Sequence, residues 1–522
     1  MLSPQTAQIA TIALLLVAGA AQAQSTILVS SGFLGLPAVG DSFFSSVSDD
    51  GTRVVFQSSA ANLVPGDTNT TTDVFLFDRT TGQVSRISTS QAGVQGNGLS
   101  QSPRISGNGR FVSFESAATN LIVGAPTANA QIFRKDLLTG AVDLVSARSS
   151  DGRWGSGFCF NGGISRDGRY VTFTSQAEDL IATDNNSRLD VFRRDMNAVP
   201  TLTNAAMLRM SISSASQQGI STSFTASISA NGNRVAFVTA SNNLVPGDTN
   251  GSADVLVRDV SAGTTTLVSQ NDSGQIGNDA SQRASISSDG NFVVFDSLAS
   301  NLGANNFANI VYIRNISAGT TTPITDFAVG NSFDPMVAEG GQTVAFWSTV
   351  TTLVPGVPAN TAAVYVAKAN IGGSFGFELI SKNASNLVGP DSFYPAISAD
   401  ARYVSFESDA TNLVPGDTNG RTDVYLRDRG APASGCLVDF NADGFLNQED
   451  LGGFLTAFLD ESTPAGPSGT NTAPCPGEPA PYATLGYAAD YNRDCSFNQE
   501  DLAGYLTDYF GESENPVNCI PG

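Results

Sequence analysis

Seven times along the chain a strand-like run closes on phenylalanine, at Phe56, Phe114, Phe173, Phe237, Phe295, Phe346 and Phe406, with spacings of 51 to 64 residues. A lone four-stranded sheet leaves both faces bare until neighbours cover them, so a period of this length with four short β-type runs per unit requires the units to stack side by side. Each unit reads as a strand of the type Ile-Ser, a turn, a strand ending in Phe, a polar loop, a strand of the type Asp-Val-Phe-x-x-Asp, and a fourth run such as Leu144-Val145-Ser146. The second strands, such as Arg110-Phe111-Val112-Ser113-Phe114, carry the β-branched and aromatic residues of strands buried on both sides. Asp50-Gly51, Asn108-Gly109, Asp167-Gly168, Asn231-Gly232 and Asp289-Gly290 supply the positive φ of tight hairpins. Unit six departs from the pattern, with Glu339-Gly340-Gly341-Gln342 at its turn.

The seventh unit stops after Asp423–Asp428 without a fourth strand, whereas Ile27-Leu28-Val29-Ser30, near the N-terminus, reads like the fourth strands elsewhere. One strand is missing and one is spare. The expected fold class is all-β: a seven-bladed β-propeller over residues 24–430, closed by the N-terminal strand. A linker at 431–435 and a small α-helical module at 436–522 follow. The units of the form Ile-Ser-x-Asp-Gly-Arg-Tyr-Val-x-Phe resemble the WD40-like (PD40) repeats of TolB-type propellers over roughly residues 25–430. That resemblance implies the fold and leaves the function open, because propellers host binding, scaffolding and catalysis alike.

Composition removes several chemistries. The chain has no histidine, so there is no Ser-His-Asp or Cys-His relay and no His-ligated metal. With 26 Lys+Arg against 48 Asp+Glu, the net charge of −22 argues against nucleic-acid partners, which require basic residues to neutralise phosphates. Residues 1–23 carry no charge, are apolar from Ile9 through Ala18 and end in Ala21-Gln22-Ala23, the pattern of a cleaved signal peptide. The apolar run falls short of the ~20 residues of a membrane span. The expectation is a secreted or cell-surface protein with no membrane span.

Four units carry an acidic loop between the second and third strands: Asp67-x-Asn69…Asp73, Asp184-x-Asn186…Asp190, Asp248-x-Asn250…Asp254 and Asp417-x-Asn419…Asp423. Two readings stand. Alternating oxygen side chains suit Ca²⁺, and the same residues are good turn chemistry, the stronger of the two. In unit two Ala125 and Gln131 replace the acids, and in unit six Val357 and Ala363 do. The first strands, which line a propeller's channel, include Arg104, Arg283 and Pro395, and no nucleophile with a base or carboxylate pair is read among them. No catalytic site is expected in the ring.

Beyond Arg429 the composition shifts: residues 433–522 hold 14 acidic residues against the single Arg493. Two twelve-residue segments account for much of it. Asp439, Asn441, Asp443, Asn447 and Asp450 occupy loop positions 1, 3, 5, 9 and 12, with the Phe445 carbonyl at position 7 and Gly444 at the sharp turn. Asp490, Asn492, Asp494, Ser496, Asn498 and Asp501 repeat the ligand pattern, with Cys495 in place of glycine. Each loop runs into an apolar-striped helix, through Leu451, Phe454, Leu455 and Phe458 or Leu502, Tyr505, Leu506 and Tyr509. The expectation is two bound Ca²⁺ ions, with the propeller loops as candidates for further ions.

The duplicated loop-helix, with Asp rather than Glu at position 12 and Gly435-Cys436 at its start, resembles a GC-type dockerin. That resemblance implies a cohesin-like or other surface receptor as partner. Cys436, Cys475, Cys495 and Cys519 fall here, and of their three pairings Cys436–Cys519 with Cys475–Cys495 is the expected one; Cys159 stands apart as a buried small hydrophobe. The expected function is an exported, non-catalytic propeller that offers a recognition or display surface to a glycan or protein ligand, tethered through a calcium-folded module. The alternatives are a carbohydrate-active lyase or glycosidase with carboxylates in the channel, and a structural surface-layer component.

Overall fold

The computed structural model describes residues 24–124, 129–197, 206–303, 308–325, 330–358, 361–370, 373–389 and 391–430. The expected signal peptide at 1–23, the linker at 431–435 and the module at 436–522 lie outside the described residues. Gln24–Asp428 is one compact unit. No helix among the described residues is long and apolar enough to cross a membrane.

Seven four-stranded antiparallel sheets follow one another along the chain. Blade one is typical, with strands Ser42–Val47, Arg53–Ser58, Asp73–Asp78 and Gln83–Arg86. The seventh is assembled from Ser392–Ile397, Tyr403–Ser408, Asp423–Asp428 and, from the other end of the chain, Ser25–Leu28. Ile27 pairs with Leu426 and Leu28 with Tyr425, so the N-terminal strand is the missing fourth strand.

A side-chain rule of the repeat confirms the match. Ser88 ends the fourth strand of blade one by donating to Asp73 Oδ1 at 2.5 Å and accepting the Val74 N–H at 3.2 Å. Ser30 does the same to Asp423 Oδ1, at 2.5 Å, and to the Val424 N–H, at 3.0 Å, across nearly the whole length of the ring. The recurrent Val-Ser thus fixes the fourth strand to the third.

Seven clusters of buried apolar residues lie one at each junction between blades. The closing junction packs Val54, Phe56 and Phe75 of blade one on Tyr403, Val424, Leu426 and Val29 of blade seven. Within the blades, paired rings stack across the second and third strands, as in Phe56–Phe75 at 5.8 Å and Phe406–Tyr425 at 5.6 Å. The turn motif also has a physical basis. Ser48 Oγ donates to Asp50 and accepts the Arg53 N–H, while Gly51, at φ +63°, lies where a Cβ would meet the Tyr403 ring of the preceding blade at 1.9 Å. Blade six, which departs from the motif, keeps this contact through Gly341 against Phe292.

Cys159 is buried and free, as expected, but its position has a more specific meaning. In the other six blades a hydroxyl pair links the first and second strands here, as in Ser100–Ser116 at 2.8 Å and Ser281–Ser297 at 2.9 Å. Cys159 Sγ lies 3.3 Å from Ser175 Oγ in the same place, and burial pushes its thiol up to about 11.

If the N-terminal strand is integral, Ser30→Ala should cost as much as Ser88→Ala. Each strips a buried carboxylate and a backbone N–H of a partner, for about 1–3 kcal/mol. Urea denaturation of both variants checks this; a neutral Ser30→Ala would mean the strand detaches.

Candidate functional site

Antiparallel blades place the second-to-third-strand loops and the connections between blades on one face, and the hairpin turns on the other. The hairpin face is tied shut. Turn backbones bond from blade to blade, as in Asp49 N–H to Gly107 O at 3.0 Å and Asn108 N–H to Arg166 O at 2.9 Å. Arg166 of blade three then reaches Asp49 of blade one at 2.6 Å and Glu339 of blade six at 3.5 Å. The loop face is different: among the described residues, Leu138 is the only exposed large apolar side chain on the hairpin side.

A channel of about 450 Å³ runs down the axis, lined by the first strands of all seven blades and including Arg104, Arg283 and Pro395 as expected. Each first strand is bulged. In six of them the third residue, Phe44, Ser102, Thr225, Arg283, Asp334 or Tyr394, is a non-glycine with φ between 48° and 52°. L-residues avoid this region because Cβ crowds the carbonyl, at a cost of about 1–2 kcal/mol each. Two of the bulges show what holds the conformation. The turned N–H of Ser102 donates to Gln57 Oε1 at 2.7 Å, and that of Phe44 to Glu407 Oε1, both acceptors on the second strand of the preceding blade.

The channel mouth on the loop face is lopsided. An aromatic arc crosses blades one, seven and six: Phe44 lies 5.5 Å from Tyr394, Phe393 6.4 Å from Tyr394, Trp347 5.0 Å from Phe393 and Phe333 4.5 Å from Trp347. It ends in blade five, where the Arg283 guanidinium stands 5.4 Å over Phe333. Arg283 also pairs with Asp334 at 2.9 Å and Asp296 at 3.1 Å, and Trp347 Nε1 donates to Asp334 at 2.7 Å. Phe44 and Tyr394 remain about 40% exposed, while Glu407 and Asp296 are 2% exposed.

Burial, with a smaller contribution from the nearby Asp334 charge, pushes the Glu407 carboxyl up to about 8 and Asp296 to about 7. The sequence reading searched first-strand positions alone, so it missed this group: Asp296, Trp347 and Glu407 come from the fifth position of second strands. An acid at that position within a Phe-acid-Ser strand end was the available signal.

The four acidic loops adopt the expected turn. Asn69 Oδ1 accepts the Thr71 N–H at 3.0 Å, while its Nδ2 donates to Asp73 at 3.1 Å and Gly96 O at 2.8 Å. Asn186 and Asn250 repeat this arrangement in blades three and four. In blade seven Asn419 makes the bonds to Asp423 and Arg421 and donates to Ala38 O at 3.3 Å. The twelve ligands expected in the C-terminal module, Asp439, Asn441, Asp443, Phe445, Asn447, Asp450, Asp490, Asn492, Asp494, Ser496, Asn498 and Asp501, lie outside the described residues, as do Cys436, Cys475, Cys495 and Cys519.

Glu407 sets a pH dependence. Its folded pKa of about 8 stands above the ordinary glutamate value of 4.5. The folded state therefore binds more protons between these values, and stability falls as pH rises through that window. Glu407→Gln, which stays neutral and still accepts from Phe44, should remove a slope of up to about 1.4 kcal/mol per pH unit. Urea midpoints measured across the window test this, and an unchanged slope would refute it.

The sequence matches no protein-family model and no curated protein. Among solved structures it is similar to an oligogalacturonate lyase in complex with manganese, at 12% identity and a TM-score of 0.45 over 78% of this chain and 96% of that one. The propeller domain of the trilobed protease of Pyrococcus furiosus aligns at 11% and 0.45 over 75% and 94%. TolB of Acinetobacter baumannii aligns at 16% and 0.33 over 64% and 70%. At such identities the likeness is one of fold alone.

Proposed function

We propose that the protein is an exported recognition protein whose propeller binds a ligand at the channel mouth and whose residues 436–522 tether it, as a calcium-folded dockerin-like module, to a cell-surface or multiprotein receptor. The observation that carries the binding half is the arc from Phe44 to Arg283. Exposed aromatic faces stand beside an Arg–Asp pair on one sector of an otherwise regular ring. Flat rings flanked by donors and acceptors suit the C–H faces and hydroxyls of a sugar, and the net charge of −22 disfavours an acidic polymer. Glu407 and Asp296 are engaged with the Phe44 backbone, Asn309 and Arg283, which supports binding over bond cleavage.

The tether half rests on sequence: paired loops whose crowded carboxylates repel one another until a divalent ion neutralises them. A second reading has one observation in its favour. A Glu407 carboxyl protonated at neutral pH, close to the Asp334 charge, is the state a general acid in a carbohydrate-active enzyme requires.

A panel of neutral glycans assayed with the full chain for binding and cleavage separates these readings. Binding without products, weakened about tenfold or more by Tyr394→Ala or Phe44→Ala, is the expected result. Cleavage abolished by Glu407→Gln would establish the enzyme instead. For the tether, EGTA or the pair Asp450→Ala and Asp501→Ala should release the protein from an envelope fraction, and retention under both would sink it.

A further inference from the structure

The four acidic loops share one scaffold but differ in what balances their charge. In blade one Arg86 lies 3.2 Å from Asp67 and 3.4 Å from Asp73, and Gln95 Nε2 donates to the same two carboxylates at 2.8 and 2.9 Å. In blade three Arg209 stands 3.6 Å from both Asp184 and Asp190, and Gln218 donates to them at 2.8 and 3.4 Å. The guanidinium comes from the residue before the Ser-bearing end of the fourth strand, and the amide from the bridged position in the connection that follows. Where the acids are absent, so is the arginine: blade two pairs Gln131 with Leu144, blade five Ile310 with Pro323, and blade six Ala363 with Leu379.

Blade four breaks this rule. It keeps Asp248 and Asp254 but has Leu267 at the arginine position and Ile276 at the glutamine position. Its scaffold is intact, with Asn250 Nδ2 donating to Asp254 at 3.0 Å and Gly277 O at 2.8 Å, and Ser269 donating to Asp254 at 2.7 Å. Asp254 is fully buried and Asp248 is 7% exposed, yet Asp248 Oδ1 has no hydrogen-bond partner among the described residues. A buried, unpaired carboxylate oxygen beside a second carboxylate is unfavourable unless a cation or a proton meets it. A surface cavity of about 410 Å³ is lined by neighbours of the two acids, Gly247, Thr249, Asn250 and Ile276.

We propose that the blade-four loop binds a hard divalent cation, calcium by size, between Asp248 and Asp254, where blades one and three insert Arg86 and Arg209. Two carboxylates match a double charge, and calcium's tolerance of irregular geometry lets water and backbone carbonyls complete its shell. Blade seven has the same shortage, with Asp417 and Asp423 facing Leu28 and Asp417 Oδ1 likewise without a hydrogen-bond partner among the described residues, but there the Tyr425 hydroxyl donates to Asp417 Oδ2, a bond blade four lacks because Leu256 stands at the tyrosine position.

The test transplants the protein's own alternative. In the full chain, Leu267→Arg with Ile276→Gln rebuilds the blade-one arrangement, and Asp248→Asn with Asp254→Asn removes the charge. Both leave the C-terminal loops untouched. Equilibrium dialysis with calcium alone should show each variant binding one ion fewer than the parent. In EGTA the Arg/Gln variant should melt higher than the parent, and its propeller should gain less on adding calcium. Unchanged stoichiometry in both variants would overturn the site. So would a parent whose stability rises on mild acidification but not with calcium, since a proton would then balance the pair.

Discussion

Every other feature of the ring depends on the mating of one blade's apolar face with the next. A blade such as blade four has Val235, Phe237 and Leu256 facing blade three and Ala236, Val238 and Val255 facing blade five, all fully buried. Neither face can be left to water, since each buried aliphatic or aromatic side chain contributes about 1.5–3 kcal/mol. The array therefore has no stable end until it closes. Closure by the N-terminal strand turns the last sheet into a blade of the same construction as the others, and it links residues some 400 positions apart through Ser30 and Asp423.

Closure also creates the channel and dictates what its wall must contain. Seven first strands converge on the axis, each of them bulged, and in six the bulge places a non-glycine residue at positive φ, which bends the strand locally. Where the bulge turns an N–H toward the preceding blade, the fifth residue of that blade's second strand becomes its acceptor. Gln57 and Glu407 meet this need with opposite consequences: an amide stays neutral, whereas a buried carboxyl is held protonated to about pH 8. The polarity of the channel mouth is thus set in part by what each second strand carries at its fifth position: Glu407 accepts the Phe44 N–H, whereas Asp296 pairs with Arg283 and Trp347 donates to Asp334.

This explains what could be read from the residues alone. The blade count was legible because the second strand recurs seven times, the turn chemistry because Asp/Asn-Gly recurs in five units, and the strand exchange because the repeat left one fourth strand missing and one spare. The channel-mouth group was not, because Arg283, Asp334 and Trp347 touch across blades about 50 residues apart and lie in different strands of their repeats. Arg166 and Glu339, 173 residues apart, meet only because the ring is closed. The acidic loops fall between these cases. Asn69 and its equivalents announced the turn, but whether the acids are balanced is decided by Arg86 and Gln95, outside the loop. Comparing the residue two before each fourth-strand serine, Arg86 and Arg209 against Leu267, would have separated blade four from blades one and three.

A repeat protein can vary one blade without disturbing the others, provided each variation is neutral within its own blade. Blades one and three meet that condition with an arginine, and blades two and six by discarding the acids. On the hairpin face the same principle holds with little variation: Arg110–Asp136, Arg169–Asp195 and Arg402–Asp428 repeat one ion pair at 2.7 to 2.8 Å, and in blade four Arg234 reaches Asp259 from the next position at 2.9 Å. A face that repeats itself and is laced by turn-to-turn backbone bonds is a foundation. The loop face carries the uncovered aromatics, the uneven charge and nearly all the exposed apolar side chains, so the divergence that distinguishes one propeller's ligand from another's is concentrated there.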